Sequence, residues 1–267
     1  MASISDENES SREKRRDWKT ILRELPDYGL TVSFLGVRAS GKTFLLNHVV
    51  HEMMPQRKYT AAFLFSATAF TQKGSYEWIP ESHKFTSLEP LSEVLARQRE
   101  VCDLNEELEK NRETKKYIRS TVCIVVDDFV NFNLRSSREV TGLYTHGRHL
   151  RHQKSGSLID IFTLGQDIVQ LAPVQRSNCD IIFTARTLSL RSTKMTVEDY
   201  LTSLSGDKKK GYEMLKNLSQ HMFLFLVIFV TKQPKTTIES YTYYAKAPPK
   251  APKFRIGSKM QWKEQEE

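Results

Sequence analysis

The sequence predicts an α/β fold in which a largely parallel central sheet is flanked by helices. Three observations predict it. Six apolar runs, at 30–35, 61–66, 122–126, 158–164, 181–185 and 222–230, mostly lack polar alternation, the pattern of strands buried on both faces. Helix-like segments at 42–53, 91–117, 136–152 and 196–218 lie between runs, and such alternation implies one open sheet with right-handed crossovers. Residues 36–43, G-V-R-A-S-G-K-T, carry the first run into the first helix with the spacing of a phosphate-binding loop.

Taken in order, residues 1–27 are polar and charge-rich without an apolar stretch, and read as a flexible segment that is neither a signal peptide nor a membrane span. The folded domain is expected over 28–230. In the loop, Gly36 and Gly41 allow the turn, and the backbone N–H groups of residues 39–43 point at a polyphosphate. Lys42 is expected to reach the β- and γ-phosphates and Thr43 to place its hydroxyl on Mg²⁺, so Gly36, Ser40, Gly41, Lys42 and Thr43 form the binding set. Residues 67–90, with Gly74, Pro80 and Pro90, have no clear period and read as an ordered insertion or lid with no legible chemistry. The charges alternating from Glu93 to Lys116 fit the solvated face of a helix.

The run at 122–126 ends in Asp127-Asp128. Two carboxylates there are costly to bury without a cation or hydrogen bonds, which assigns Asp127 to the metal and Asp128 to polarising the attacking water, with a helix N-cap as the alternative role for Asp128. Regulatory GTPases are disfavoured because Val130 stands where D-x-x-G needs glycine and N-K-x-D is missing. Between Phe129 and Ile159 five cations face one anion, half of the chain's formal excess of +8. On a helix over 136–152, Arg148 and Arg151 share a face able to reach a neighbour's γ-phosphate or a nucleic acid backbone. His146, His149 and His152 follow the same spacing without a fourth zinc ligand nearby. Gln166, just past the run at 158–164, lies where parallel α/β sheets bind ligands and could orient water or sense the γ-phosphate. Residues 236–244 suggest an edge strand, and 245–267 a basic, proline-containing, mobile tail.

The composition, 39% hydrophobic and 27% charged over 267 residues, suits one soluble domain with tails. The pI of about 9.3 favours a polyanionic partner. Cys102, Cys123 and Cys179 have no paired spacing, which fits a reducing compartment and no disulfide framework. The most apolar stretch, Met222 to Val230, is too short to span a bilayer.

The ordered motifs G-V-R-A-S-G-K-T, V-V-D-D-F, G-R-H-L-R-H, T-L-G-Q-D and L-A-P-V-Q-R-S-N-C-D together resemble the poxvirus-type DNA-packaging ATPases of large double-stranded DNA viruses, within the FtsK/HerA group of motors. The resemblance covers roughly residues 28–230. It implies a RecA-like P-loop fold, hydrolysis of ATP with Mg²⁺, a homo-oligomeric ring, and translocation of duplex DNA, without base reading, into a preformed capsid. Capsid vertex or membrane-associated virion proteins would be further partners, and the virion or viral assembly site the location. Position by position, Lys42 and Thr43 match the phosphate and metal residues, Asp127 and Asp128 the Walker B pair, and Gln166 the polar sensor. Arg148 matches the R-H arginine and is the first choice for a finger acting in trans, with Arg176 of R-S-N second. Ala39 stands where many relatives have glycine, which requires negative φ at that position, and Asp128 stands where such motors prefer glutamate. Two other readings are a single-strand helicase or recombination ATPase, for which Phe132 and Tyr144 would be stacking platforms, and a non-hydrolysing nucleotide-gated assembly scaffold.

Overall fold

Eight strands, β1 (Thr31–Leu35), β2 (Ala61–Ser66), β3 (Lys84–Phe85), β4 (Thr121–Asp127), β5 (Leu158–Gly165), β6 (Ile181–Thr184), β7 (Leu224–Phe229) and β8 (Thr242–Lys246), form one sheet in the order β3-β2-β4-β5-β1-β6-β7-β8. The structure is a computed structural model that describes residues 18–22, 25–71, 74–127, 137–202, 206–231 and 237–263. Strands β1 to β6 run parallel, while β7 and β8 are antiparallel at one side. The parallel strands other than the two-residue β3 send alternate apolar side chains to two cores, as a sheet covered on both faces must. Val32, Phe34, Cys123, Val125, Phe162 and Leu164 enter one core. Leu35, Val122, Ile124, Val126, Ile159 and Ile161 enter the other.

Among the described residues the helices are α1 (Trp18–Ile21), α2 (Lys42–Arg57), α3 (Leu91–Lys110), α4 (Arg138–His146), α5 (Pro173–Ser177), α6 (Leu190–Thr196), α7 (Lys208–Ser219) and α8 (Lys259–Lys263). The first core is covered by α2 through Leu45, Leu46, Val49, Val50 and Met53, together with Tyr76, Trp78 and Ile79. The second is covered by Val140 and Leu143 of α4 and Leu215 and Leu218 of α7.

Several sequence expectations are corrected. Helix α2 runs through Pro55 for another turn and stops at Lys58, whose φ of 49° is left-handed. Arg57 gains a buried partner by this extension, pairing with Asp160 at 2.8 Å. Helix α3 ends at 110 rather than 117: Arg112 turns left-handed at φ 63°, and the Glu113 N–H closes back on the Leu108 carbonyl at 2.8 Å. The helix expected over 136–152 is α4 followed by a 3₁₀ turn at Gly147–His149, so Arg148 and Arg151 do not sit on one helix face. A side chain at Gly147 would come within 3.0 Å of Ile161, and glycine permits that close passage against β5. The segment expected as one helix over 196–218 is instead α6, a π turn at Val197–Leu201, and α7, because Gly206 is left-handed and Asp207 caps Lys210.

The segment at 67–90 is not chemically blank. It adds β3 to the sheet and buries Tyr76, Trp78 and Ile79. Nor is the described part of 245–267 loose: Phe254 stacks on Trp78 at 5.1 Å, Ile256 is buried, and its N–H reaches the Trp78 carbonyl at 3.1 Å. The edge strand is β8, shifted toward the carboxyl end of the expected 236–244 because 238–240 form a 3₁₀ turn. The apolar run at 222–230 is β7, and among the described residues no helix is long and apolar enough to cross a membrane.

Candidate active site

Strand β1 delivers Gly36 to the carboxyl edge of the sheet, where its N–H donates to the Gly165 carbonyl at 3.2 Å. The turn that follows has little room. A side chain at Gly36 would meet Ala185 at 2.7 Å and the Ser40 hydroxyl at 3.0 Å, and one at Gly41, where φ is 92°, would meet Ala247 at 2.8 Å. Ala39 has φ 60°, which overturns the expectation of a negative angle there. The loop therefore carries a non-glycine residue in a left-handed conformation, a cost of about 1 kcal/mol that neighbours must offset.

Lys42 opens α2 and folds back, its Nζ donating to the carbonyls of Gly36 at 2.8 Å and Val37 at 3.0 Å. Burial pulls its ammonium below the ordinary lysine range; the negative charge of Asp127 opposes that shift and Arg38 adds to it. The Ser40 hydroxyl is buried without a hydrogen-bond partner. A tight glycine cradle, a half-buried ammonium and an orphaned hydroxyl at a helix start fit a polyphosphate group. Beside the loop, a cleft of about 320 Å³ runs between Val37–Ser40, Arg186 and the turn at Ser219–Leu224.

Strand β4 brings Asp127 to the same edge, opposite Ser66 of β2. Tyr76 packs against the end of β4: its hydroxyl donates to Asp127 Oδ2 at 2.7 Å. Burial first, then the Asp127 charge, drive the Tyr76 phenol well above its usual range, so it remains a donor. Thr43 at the start of α2 and Asp127 at the end of β4 are hard oxygen groups at the same edge of the sheet, a donor set that fits Mg²⁺. Asp128 lies outside the described residues.

Gln166 is exposed at the end of β5, between the Asp127 strand and the Gly36 strand, as expected, and its N–H is held by Gln170 at 2.9 Å. Arg148 is elsewhere. Its guanidinium donates to Asp180 at 2.6 Å and lies 5.4 Å from the centre of the Tyr28 ring, at the amino edge of the sheet where Asp180 also receives the Thr31 N–H at 2.9 Å. Arg176 is held by Asp199 at 2.9 Å and by the Leu171 carbonyl at 2.8 Å. His152 is buried against Glu109 at 2.9 Å, and His146 bonds Thr145 at 2.8 Å. Tyr144 is a core residue bonded to Ser33 and Thr163, which removes it as a base-stacking platform, and Phe132 lies outside the described residues.

Tyr76 and Asn47 escaped the sequence reading. The one available signal was Asn47 itself, a polar residue inside the apolar run of α2. It is buried, and its amide bonds the Ser75 carbonyl at 2.9 Å and the Trp78 indole N–H at 2.8 Å, fixing both sides of Tyr76.

A family model described as Poxvirus A32 protein matches residues 21–164, just over half of the chain. The chain belongs to this family. It is a P-loop ATPase of the viral genome-packaging kind. Comparison with curated protein sequences returns no match. Among solved structures, the genome packaging NTPase B204 from Sulfolobus turreted icosahedral virus 2 is similar as its AMPPCP complex, with a TM-score of 0.51 and 15% identity over 84% of this chain and 100% of that one. Its sulfate complex has a TM-score of 0.53 and 16% identity over 85% and 100%. The pCW3 conjugation coupling protein TcpA, a monomer form with ATPgS, has a TM-score of 0.53 and 12% identity over 82% of this chain and 60% of that one. At these identities the likeness concerns the fold, a RecA-like sheet with the loop at its carboxyl edge.

Proposed function

We propose that the A32-family chain hydrolyses Mg²⁺·ATP between subunits of a homo-oligomeric ring and uses it to move double-stranded viral DNA into a capsid. The observation that carries this reading is the convergence of Lys42, Thr43, Asp127 and Gln166 on one edge of the sheet, from β1, β4 and β5. The loop N–H groups, Ser40 and Lys42 would bind the β- and γ-phosphates, and Gln166 would hold the attacking water. Thr43 and Asp127 would hold Mg²⁺, which neutralises charge on the phosphates. Asp128 is proposed as the general base.

Within one subunit Arg148 and Arg176 are both engaged, so a finger role in trans requires release from Asp180 or from Asp199. Asp199 is 37% exposed and Asp180 is fully buried, which makes Arg176 the easier of the two to free. Exposed Arg186, Arg191 and Lys194 follow β6 and offer charge to DNA phosphates without a base-reading element.

The test is the steady-state ATPase rate with long duplex or short single strands across a salt series. Stimulation by duplex that fades as salt rises is the expected result. Preference for single strands would favour a helicase, and no turnover with retained ATP binding would favour an assembly scaffold.

A further inference from the structure

We propose that Tyr76, a residue of the insertion between β2 and β3, is a positioning residue for the divalent cation, acting through its hydrogen bond to Asp127. This rests on the reading of the site as a Mg²⁺·ATP site.

The bond has a direction: Tyr76 donates its only hydroxyl proton to Asp127 Oδ2 at 2.7 Å. Asp127 thus has its Oδ2 held in place by Tyr76. The phenol therefore sets the orientation of Asp127 before any metal arrives, which lowers the ordering cost of binding.

Tyr76 is also held too firmly to act as a swinging plug. Asn47, one turn beyond Thr43 on α2, grips the residues on either side of it, the Ser75 carbonyl at 2.9 Å and the Trp78 indole at 2.8 Å. Phe254 backs Trp78 from the other side, stacked at 5.1 Å. Tyr76 itself is only 2% exposed.

Tyr76→Phe removes the hydroxyl and keeps the ring in its slot. The probe is AMPPCP, whose affinity is measured by calorimetry in EDTA and then across a Mg²⁺ titration, with a Mn²⁺ titration followed by electron paramagnetic resonance and a thermal melt alongside. The Mg²⁺ concentration giving half of the affinity gain should rise about 10- to 100-fold, with Mn²⁺ following, while the EDTA affinity stays within about twofold. An unchanged half-saturation would overturn the proposal, as would a loss of EDTA affinity in step with a large drop in melting temperature, the mark of a packing role alone. If the unmodified protein fails to bind AMPPCP, or gains nothing from Mg²⁺, the Mg²⁺·ATP reading falls instead, and the role of Tyr76 with it.

Discussion

Arg148→Ala separates a structural arginine from a catalytic one. Asp180 is fully buried, and burial pushes its carboxyl up to about 6 even though the Thr31 N–H and Arg148 both favour its ionised form. Keeping that carboxylate ionised at neutral pH already costs on the order of 3 kcal/mol relative to an unfolded chain, at about 1.4 kcal/mol for each factor of ten. Removing Arg148 deletes an attraction of roughly 4 kcal/mol at an effective dielectric near 20. The Arg148 side chain is 32% exposed, so solvent screening reduces the expected loss to about 2–3 kcal/mol. For a domain of this size that is a fall of about 5–10 °C in melting temperature at pH 7.5.

The pH dependence has a definite sign. A carboxyl whose folded value is raised favours folding when protonated and loses that advantage as pH climbs through the folded value, here about 6. Without Arg148 the folded value moves higher still. The gap between variant and unmodified protein is therefore widest above about pH 7 and narrows toward pH 5, where the carboxyl is largely protonated in both. Differential scanning fluorimetry at pH 7.5 and pH 5 reads this directly. A gap below about 2 °C at pH 7.5, or one equal at both pH values, would refute the reasoning. Mixing the variant with Lys42→Ala protein then asks the catalytic question: activity recovered in the mixture assigns a finger in trans, even if Asp180 must give the arginine up.

Lys42→Ala should abolish ATP turnover with the melting temperature nearly unchanged, since its present partners are two loop carbonyls and not the core; circular dichroism showing unfolded protein would contradict this. Gln166→Ala should lower kcat by about 10²-fold and leave nucleotide affinity intact, because the side chain is exposed and stands past the strand end; a change confined to KM would count against a water-orienting role. Asn47→Ala leaves the Ser75 carbonyl and the Trp78 indole unpaired, a cost of about 2–4 kcal/mol. It should also raise the Mg²⁺ requirement of AMPPCP binding, and a loss of stability with an unaltered Mg²⁺ titration would confine Asn47 to the core.

The sheet was legible because its strands are buried on both faces: β1, β2, β4, β5, β6 and β7 appear as apolar runs within a few residues of their final bounds. Helix ends were less so. Those at Lys58 and Arg112 depend on left-handed residues that are not glycine, and the break before α7 on a left-handed glycine inside an otherwise helical pattern. The phosphate loop and Asp127 could be read locally, since each is set by consecutive residues. Tyr76 could not be, because its role comes from tertiary placement: nothing in a segment without period says that one tyrosine will reach the end of β4, far from it in sequence. Arg148 shows the same limit from the other side. Its motif neighbours suggested a catalytic surface, while its partner Asp180 lies at the start of another strand.

The docking of residues 254–262 over the insertion makes a strap, since Gln261 also reaches His83 at 3.1 Å and the Trp262 indole holds the Ile256 carbonyl at 3.2 Å. Strap, Trp78, Asn47 and Tyr76 form a continuous line of contacts ending at Asp127. Whatever binds the strap and lifts Phe254 from Trp78 would loosen the support of the phenol and weaken the cation's hold. Thermodynamic reciprocity then requires that cation loading oppose that partner by the same factor. Any partner gripping this strap and the cation proposed at Asp127 would thus compete without ever touching.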